Sequence, residues 1–381
     1  MDFTYSEEQL LVQKTASGFA REHLLPGAAE RDEKMEFAAE QIQKLGEIGF
    51  MGMMIPEFWG GSGFDTVSYC LALEEISKAD AAVAVPVSVN NSLVCALLLK
   101  YGDEQQKEKY LKKLASGKSL GAFSLSEPQA GSDASNLLTS AVRNGDHYII
   151  NGTKNWVSNG ISSDIVMVFA VTEKGMGDKG ISVFAVEKGS DGFSTGKKEN
   201  KLGIRSSDTC ELYFDDCRVP FESRIGEEGD GFTIAMTVLD GGRIGIAAQS
   251  LGIAQAAMER AIDYAKERKQ FGTTIASFGA VREKIAEMAT GIAGARLLTH
   301  RAAELKDQGK PFSKEAAMAK YSASEVAMSA STECVQVFGG YGYMKEYGVE
   351  RLMRDAKITQ IYEGTTEVQK LVIARSILEE A

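Results

Sequence analysis

The sequence has little that could hold a metal ion. Its five cysteines, Cys70, Cys95, Cys210, Cys217 and Cys334, contain no CxxC pair, and only His23, His147 and His300 stand beside them. Zinc ligands come in tighter clusters, so no metal is expected. An odd cysteine count without secreted-type spacing also argues against a disulfide framework and for reduced core thiols in the cytoplasm. No basic leader is visible ahead of the first helix, where Ser6 and Gln9 have capping-box spacing. No apolar run is read as approaching the roughly 18 residues of a membrane span. Positive charge is in the minority as well: 42 Lys plus Arg against 53 Asp plus Glu give a net charge of -11. A negative field disfavours nucleic acid and anionic membrane surfaces, yet it leaves room for a local basic pocket.

Apolar material is ample. Hydrophobic residues make up 44% of the 381 positions and charged residues 25%, which suits two or three folded domains and excludes compositional disorder. Three textures follow one another. Residues 1–118 show helical spacing, clearest over 67–78 and 92–101, with a loop at Pro56 and the glycines 60, 61 and 63. Residues 119–222 shift toward period two, with strands expected over 147–151, 164–172, 181–187 and 210–214 and hairpin turns at Asn144-Gly145 and Asn151-Gly152. Residues 223–381 return to helix over 244–268, 280–305 and 313–337, broken at Phe271-Gly272. The expected fold is α+β: an N-terminal helical domain, a central β-barrel-like domain and a C-terminal four-helix bundle.

Four segments could carry chemistry. The stretch 123–133, Phe-Ser-Leu-Ser-Glu-Pro-Gln-Ala-Gly-Ser-Asp, gathers hydroxyls around a strand end, and Gly131 would let backbone approach a phosphate or a ring edge. A plain turn capped by Asp133 explains it as well. In 154–160, Lys-Asn-Trp-Val-Ser-Asn-Gly, Trp156 could lie against a planar heterocycle or plug the core of the β-domain. The glycines of 336–343, Gln-Val-Phe-Gly-Gly-Tyr-Gly-Tyr, open a close backbone approach or simply turn one helix into the next. In 361–367, Ile-Tyr-Glu-Gly-Thr-Thr-Glu, a carboxylate at the end of an apolar stretch could be drawn into a dry cleft and become a base. An exposed helix-boundary Glu is the plainer reading.

Taken in this order over the full length, the segments 125–133, 156–160, 268–272, 336–342 and 362–367 resemble the acyl-CoA dehydrogenase family. Val89-Asn90-Asn91-Ser92-Leu93 and 239–245, Leu-Asp-Gly-Gly-Arg-Ile-Gly, are similar to short-chain, butyryl-type members. The resemblance implies an FAD enzyme that converts an acyl-CoA to its trans-2-enoyl-CoA, passing electrons to an electron-transferring flavoprotein. It implies that Glu363 takes the α-proton while the β-hydride goes to flavin N5. The second place where the family carries its base aligns with Gly242. Cofactor contacts are implied for Phe123, Leu125, Ser126, Ser132, Trp156, Ser158, Arg268, Phe271, Gln336, Gly339, Gly340, Thr365 and Glu367. The Arg268 and 336–340 contacts would cross a subunit boundary in a homotetramer, a dimer of dimers. Substrate contacts are implied for Ser132, Asp240, Arg243, Tyr362 and Gly364, with the thioester carbonyl held by the Glu363 N–H and the flavin ribityl chain.

Gly279, Arg282, Ser124 and Asn136 depart from the family pattern, Gly279 standing where many members carry a Gln that contacts FAD. Other readings to be separated are a branched, alicyclic or aromatic acyl-CoA, work in reverse as an enoyl-CoA reductase, an acyl-CoA oxidase, and a non-catalytic acyl-CoA or flavin-binding partner protein. A glutaryl-type enzyme would carry an Arg within 87–92, and none is there.

Overall fold

The computed structural model describes residues 4–380. Helices come first, a sheet second and helices last. The first helix, Glu7–Phe19, starts from the expected capping box: Gln9 N–H donates to Ser6 Oγ at 3.1 Å and Ser6 N–H to Gln9 Oε1 at 2.9 Å.

The stretches 67–78 and 92–101 belong to one helical run, Thr66–Tyr101. This corrects the reading that no run approaches a membrane span: it is long and apolar enough, with mean hydropathy 1.9 over 18 residues. Of that window 89% is buried inside the protein, so packing accounts for its apolarity. The run kinks at Asp80, whose backbone is extended at φ -152° and ψ 97°. Pro86 lies inside the helix, and the turns widen to π geometry over Val89–Cys95, as happens where the i→i−4 ladder is interrupted. The two asparagines are buried and saturated. Asn90 Nδ2 donates to the Met51 and Leu114 carbonyls at 2.8 and 3.0 Å, and Asn91 Nδ2 to those of Phe50 and Val87, both at 2.9 Å.

Eight strands form the middle sheet: β1 Gly121–Ser124, β2 Ser140–Asn144, β3 His147–Ser158, β4 Ile165–Val171, β5 Ile181–Glu187, β6 Phe193–Thr195, β7 Thr209–Pro220 and β8 Arg224–Ile225. Their order is β6-β7-β3-β2-β4-β5-β8, with β1 parallel to β4. Strands β2 and β4 share only the pair Ser140–Val171, so two wings close over one apolar core that includes Ala122, Tyr148, Val168, Phe184 and Leu212. Asn144-Gly145 makes the expected β2–β3 turn. Asn151-Gly152 does not turn the chain. It lies within β3 at a register shift against β7, where Gly152 at φ 149° is pressed against Thr139; the signal was that of a bulge.

Three long helices, Gly231–Glu267, Gly279–Asp307 and Ser313–Phe338, pack antiparallel, and two shorter ones, Val349–Thr359 and Thr366–Glu380, complete the bundle. Phe271 and Gly272, at φ 51° and 79°, turn a two-residue hairpin between Lys269–Gln270 and Thr273–Thr274. All five cysteines are buried free thiols.

Candidate active site

Glu363 occupies a tight loop between the last two helices. Both it and Gly364 have left-handed backbone, φ 51° and 91°, a conformation that costs a non-glycine residue about 1–2 kcal/mol. The loop is tied to the Ser313–Phe338 helix at three points. Lys320 Nζ donates to the Gly364 carbonyl at 2.8 Å, while Glu325 Oε1 accepts from Gln360 Nε2 at 2.8 Å and from Thr366 Oγ1 at 3.0 Å. Gln369 Nε2 adds bonds to the Gly364 and Glu363 carbonyls at 2.9 and 3.2 Å. The preceding Tyr362 donates its hydroxyl to Gln249, whose Nε2 reaches the Ala81 carbonyl at 2.8 Å.

The carboxylate itself is left unpaired. Glu363 Oε2 has no solvent contact and no hydrogen-bond partner. Burial pushes the carboxyl up to about 7, against the pull of Lys320 and Arg243. It faces the Gly231–Glu267 helix at Gly242, where a Cβ would overlap Oε2 and stand 2.9 Å from Leu93 Cδ2. The next residue, buried Arg243, pairs with Asp240 at 2.6 Å, and Ser313 Oγ also donates to Asp240. Arg243 Nε has no protein partner.

The segments 123–133 and 154–160 meet each other. Asn155 N–H donates to the Ser126 carbonyl at 2.9 Å, and Lys154 Nζ to the Leu125 carbonyl at 3.0 Å. Lys154 is fully buried and pairs with Glu127 at 2.8 Å. Burial lowers the lysine to about 8. Burial also pushes the Glu127 carboxyl up, but Lys154 and the Leu138 N–H outweigh it and hold the carboxyl below its ordinary value. Both are therefore charged at neutral pH. Glu127 also accepts from Leu138 N–H, Thr139 N–H and Gln129 Nε2 at 2.7, 3.1 and 2.6 Å, so one carboxylate shapes the loop around the exposed Gly131, Ser132 and Asp133. Leu125 and Leu93 belong to one large apolar cluster, and Phe123 and Tyr362 pack against it.

Trp156 is not core. Its backbone is left-handed, φ 59°, and the indole is 63% exposed, turned outward next to Ser158. An indole held in solvent, an open backbone at Gly131 with nothing within 4 Å of its Cβ direction, and an unpartnered buried Ser124 Oγ fit a large planar ligand with polar edges. Arg268, Gly339 and Gly340 lie elsewhere. They line a cleft of about 610 Å³ with Tyr264 and Tyr341, the Arg268 guanidinium 5.4 Å from the Tyr341 ring. Phe271 is 96% exposed next to Gln270, which also lines the cleft, and Gln336 is exposed. Thr365 Oγ1 accepts from Val368 N–H at 3.4 Å, and Glu367 opens the final helix, exposed.

Lys320, Gln249, Glu325 and Gln369 carry no motif and were not singled out in the sequence. Lys320 had a usable signal: a lysine amid Ala316, Ala319, Ala323 and Ala327 on the buried face of its helix needs a partner.

Comparison with known proteins identifies the family. Residues 6–118, 122–217 and 229–378 match the N-terminal, middle and C-terminal domains of acyl-CoA dehydrogenase. A short-chain specific acyl-CoA dehydrogenase of Clostridium acetobutylicum is 51% identical, with 99% of this chain and 100% of that protein covered. The structure of butyryl-CoA dehydrogenase from Megasphaera elsdenii superposes with a TM-score of 0.98 at 49% identity, over 99% of this chain and 100% of that one. A chain in a structure concerning the electron transferring flavoprotein of Acidaminococcus fermentans and flavin-based electron bifurcation gives 0.98 at 50% identity, over 99% and 100%. The chain belongs to the acyl-CoA dehydrogenase family, whose members are FAD-dependent enzymes.

Proposed function

We propose that this chain dehydrogenates a short-chain acyl-CoA between Cα and Cβ, with Glu363 as the base. The observation that carries the reading is the Glu363 carboxylate: raised to about 7 by burial, with Oε2 out of solvent contact and unpartnered, in a loop whose backbone is held by side chains from two helices. Such a carboxylate is matched to removing a proton near neutral pH. Glu363 takes the α-proton and its N–H holds the thioester carbonyl, an oxyanion-hole role worth a few kcal/mol per donor, about 2.7–4. FAD, when bound, accepts the β-hydride, and the product is a trans-2-enoyl-CoA.

Tyr362, Gly364, Asp240 and Arg243 are assigned to the acyl-CoA, with the unpartnered Arg243 Nε in support. Phe123, Leu125, Ser126, Trp156 and Ser158 are assigned to the flavin ring, and Ser132 to the cofactor phosphates or the acyl-CoA. Arg268, Phe271, Gln336, Gly339 and Gly340 are assigned to FAD of a neighbouring subunit, and Thr365 and Glu367 to further FAD contacts. The exposed Phe271 and Tyr343 and the open cleft beside them favour a homotetramer that covers them. The electron acceptor is an electron-transferring flavoprotein, in line with the Acidaminococcus structure, and the location is cytoplasmic, in keeping with the unpaired cysteines.

The test is flavin reduction by butyryl-CoA without oxygen. Wild type bleaches, and Glu363→Gln keeps FAD and substrate binding but loses reduction by several orders of magnitude. Normal bleaching in that variant removes Glu363 as the base.

A further inference from the structure

We propose that Lys320 is a positioning residue for the Glu363 base, its amine fixing the left-handed Glu363–Gly364 turn through the Gly364 carbonyl and holding a cation beside the carboxylate. This rests on the reading of Glu363 as the base.

Two successive left-handed residues do not persist unless their surroundings over-determine them. Here the over-determination comes from two side chains only a few ångströms away. Lys320 Nζ and Gln369 Nε2 both donate to the Gly364 carbonyl, at 2.8 and 2.9 Å. Gln369 belongs to the helix that follows the loop, so it moves with the loop. Lys320 belongs to the long Ser313–Phe338 helix and bonds the turn's own backbone, while Glu325 of the same helix holds the flanking Gln360 and Thr366. Its side chain is fully buried at 0% exposure, an expensive place for an ammonium group.

The donation goes to a carbonyl and not to a carboxylate. Lys320 thus pins the backbone while leaving Glu363 Oε2 free for substrate. The charges around the pair are Glu363, Arg243, Glu325 and Glu367 facing Lys320, and Lys320 and Arg243 facing Glu363. The phenols of Tyr69 and Tyr362 also feel Glu363, and burial holds both in the neutral form. Burial lowers the Lys320 amine to about 8, so it is a cation where Glu363 titrates, and of the two cations it exerts the larger pull on the carboxyl. Without it, burial acts against Arg243 alone, and Glu363 holds its proton to higher pH.

The experiment uses FAD-loaded Lys320→Met and Lys320→Arg, compared with wild type in anaerobic flavin reduction by butyryl-CoA between about pH 5.5 and 9. FAD content and melting temperature are recorded beside the rates. The expected result for Lys320→Met is a limiting rate at high pH reduced ~10-fold or more and an acid limb moved up by about one unit. Substrate affinity changes far less than the rate, and Lys320→Arg returns the limb toward its wild-type position. Should Lys320→Met not retain FAD, Lys320→Gln carries the same expectation for the limb.

A folded, FAD-loaded Lys320→Met with an unmoved limb, or with a loss confined to melting temperature, overturns the proposal. Failure of every variant to retain FAD also counts against it, since the residue would then serve folding alone. A wild type without any acid limb, with Glu363→Gln fully active, would instead remove the base assignment on which it rests.

Discussion

Gly242 faces the carboxylate of Glu363 with no side chain between them. A Cβ at that position would overlap Oε2 and stand 3.0 Å from Cδ. The helix Gly231–Glu267 thus gives up a side chain where the loop carrying the proposed base needs room, and Leu93 borders the same space.

Substituting Gly242→Ala should therefore push the carboxylate out of line. Displacements of about 1 Å at a reacting group cost on the order of 100-fold, so flavin reduction by butyryl-CoA should slow at least about tenfold with FAD content unchanged. Stopped-flow reduction measures this, and an unaltered rate would mean that Glu363 moves freely without consequence.

The pH dependence follows from the same carboxyl. Burial raises it to about 7, so it is protonated and idle below that pH and competent above. The rate constant for flavin reduction should fall tenfold per unit below about pH 7. A limb near the ordinary Glu value of about 4.3 would show a solvated carboxylate instead.

Stability should show the opposite face of this arrangement. Burial holds the folded carboxyl at about 7 against an ordinary 4.5, so between those values the native protein keeps a proton that the unfolded chain has already released. The contribution of this group to stability is fully present below pH 4.5 and is lost as pH rises through 7. Glu363→Gln cannot ionise. Its melting temperature should match wild type near pH 5 and exceed it at pH 8, a gain at the expense of activity. Equal differences at both pH values would contradict the shift.

The sequence patterns that carried the most were those with a period. The helices expected over 280–305 and 313–337 lie within Gly279–Asp307 and Ser313–Phe338, because alanine-rich amphipathic faces have one way to pack. Local punctuation misled at Asn151-Gly152, which reads as a hairpin but serves a bulge. That outcome is not fixed by neighbours in sequence. The Glu363 loop could be found by motif, but its supports could not. Lys320, Glu325 and Gln249 reach it from 35 to 113 positions away.

Lys154 and Glu127 make a separate prediction. Removing one partner of a buried pair typically costs about 3–5 kcal/mol, and here Glu127 also organises four backbone and side-chain donors. Lys154→Met should lower the melting temperature sharply and release FAD, with Lys154→Met/Glu127→Leu recovering part of the stability but not the cofactor. Calorimetry and the flavin spectrum report the two effects, and full FAD retention in Lys154→Met would show that the 123–133 loop does not depend on the pair.

The central claim is most directly tested by titrating the purified FAD-loaded protein anaerobically with butyryl-CoA while recording the oxidised-flavin band at about 450 nm. Glu363→Gln is run beside it. The account predicts that wild type bleaches and Glu363→Gln shifts its spectrum on binding without bleaching. A wild type that binds butyryl-CoA and stays yellow, or a variant that bleaches at the wild-type rate, would contradict it.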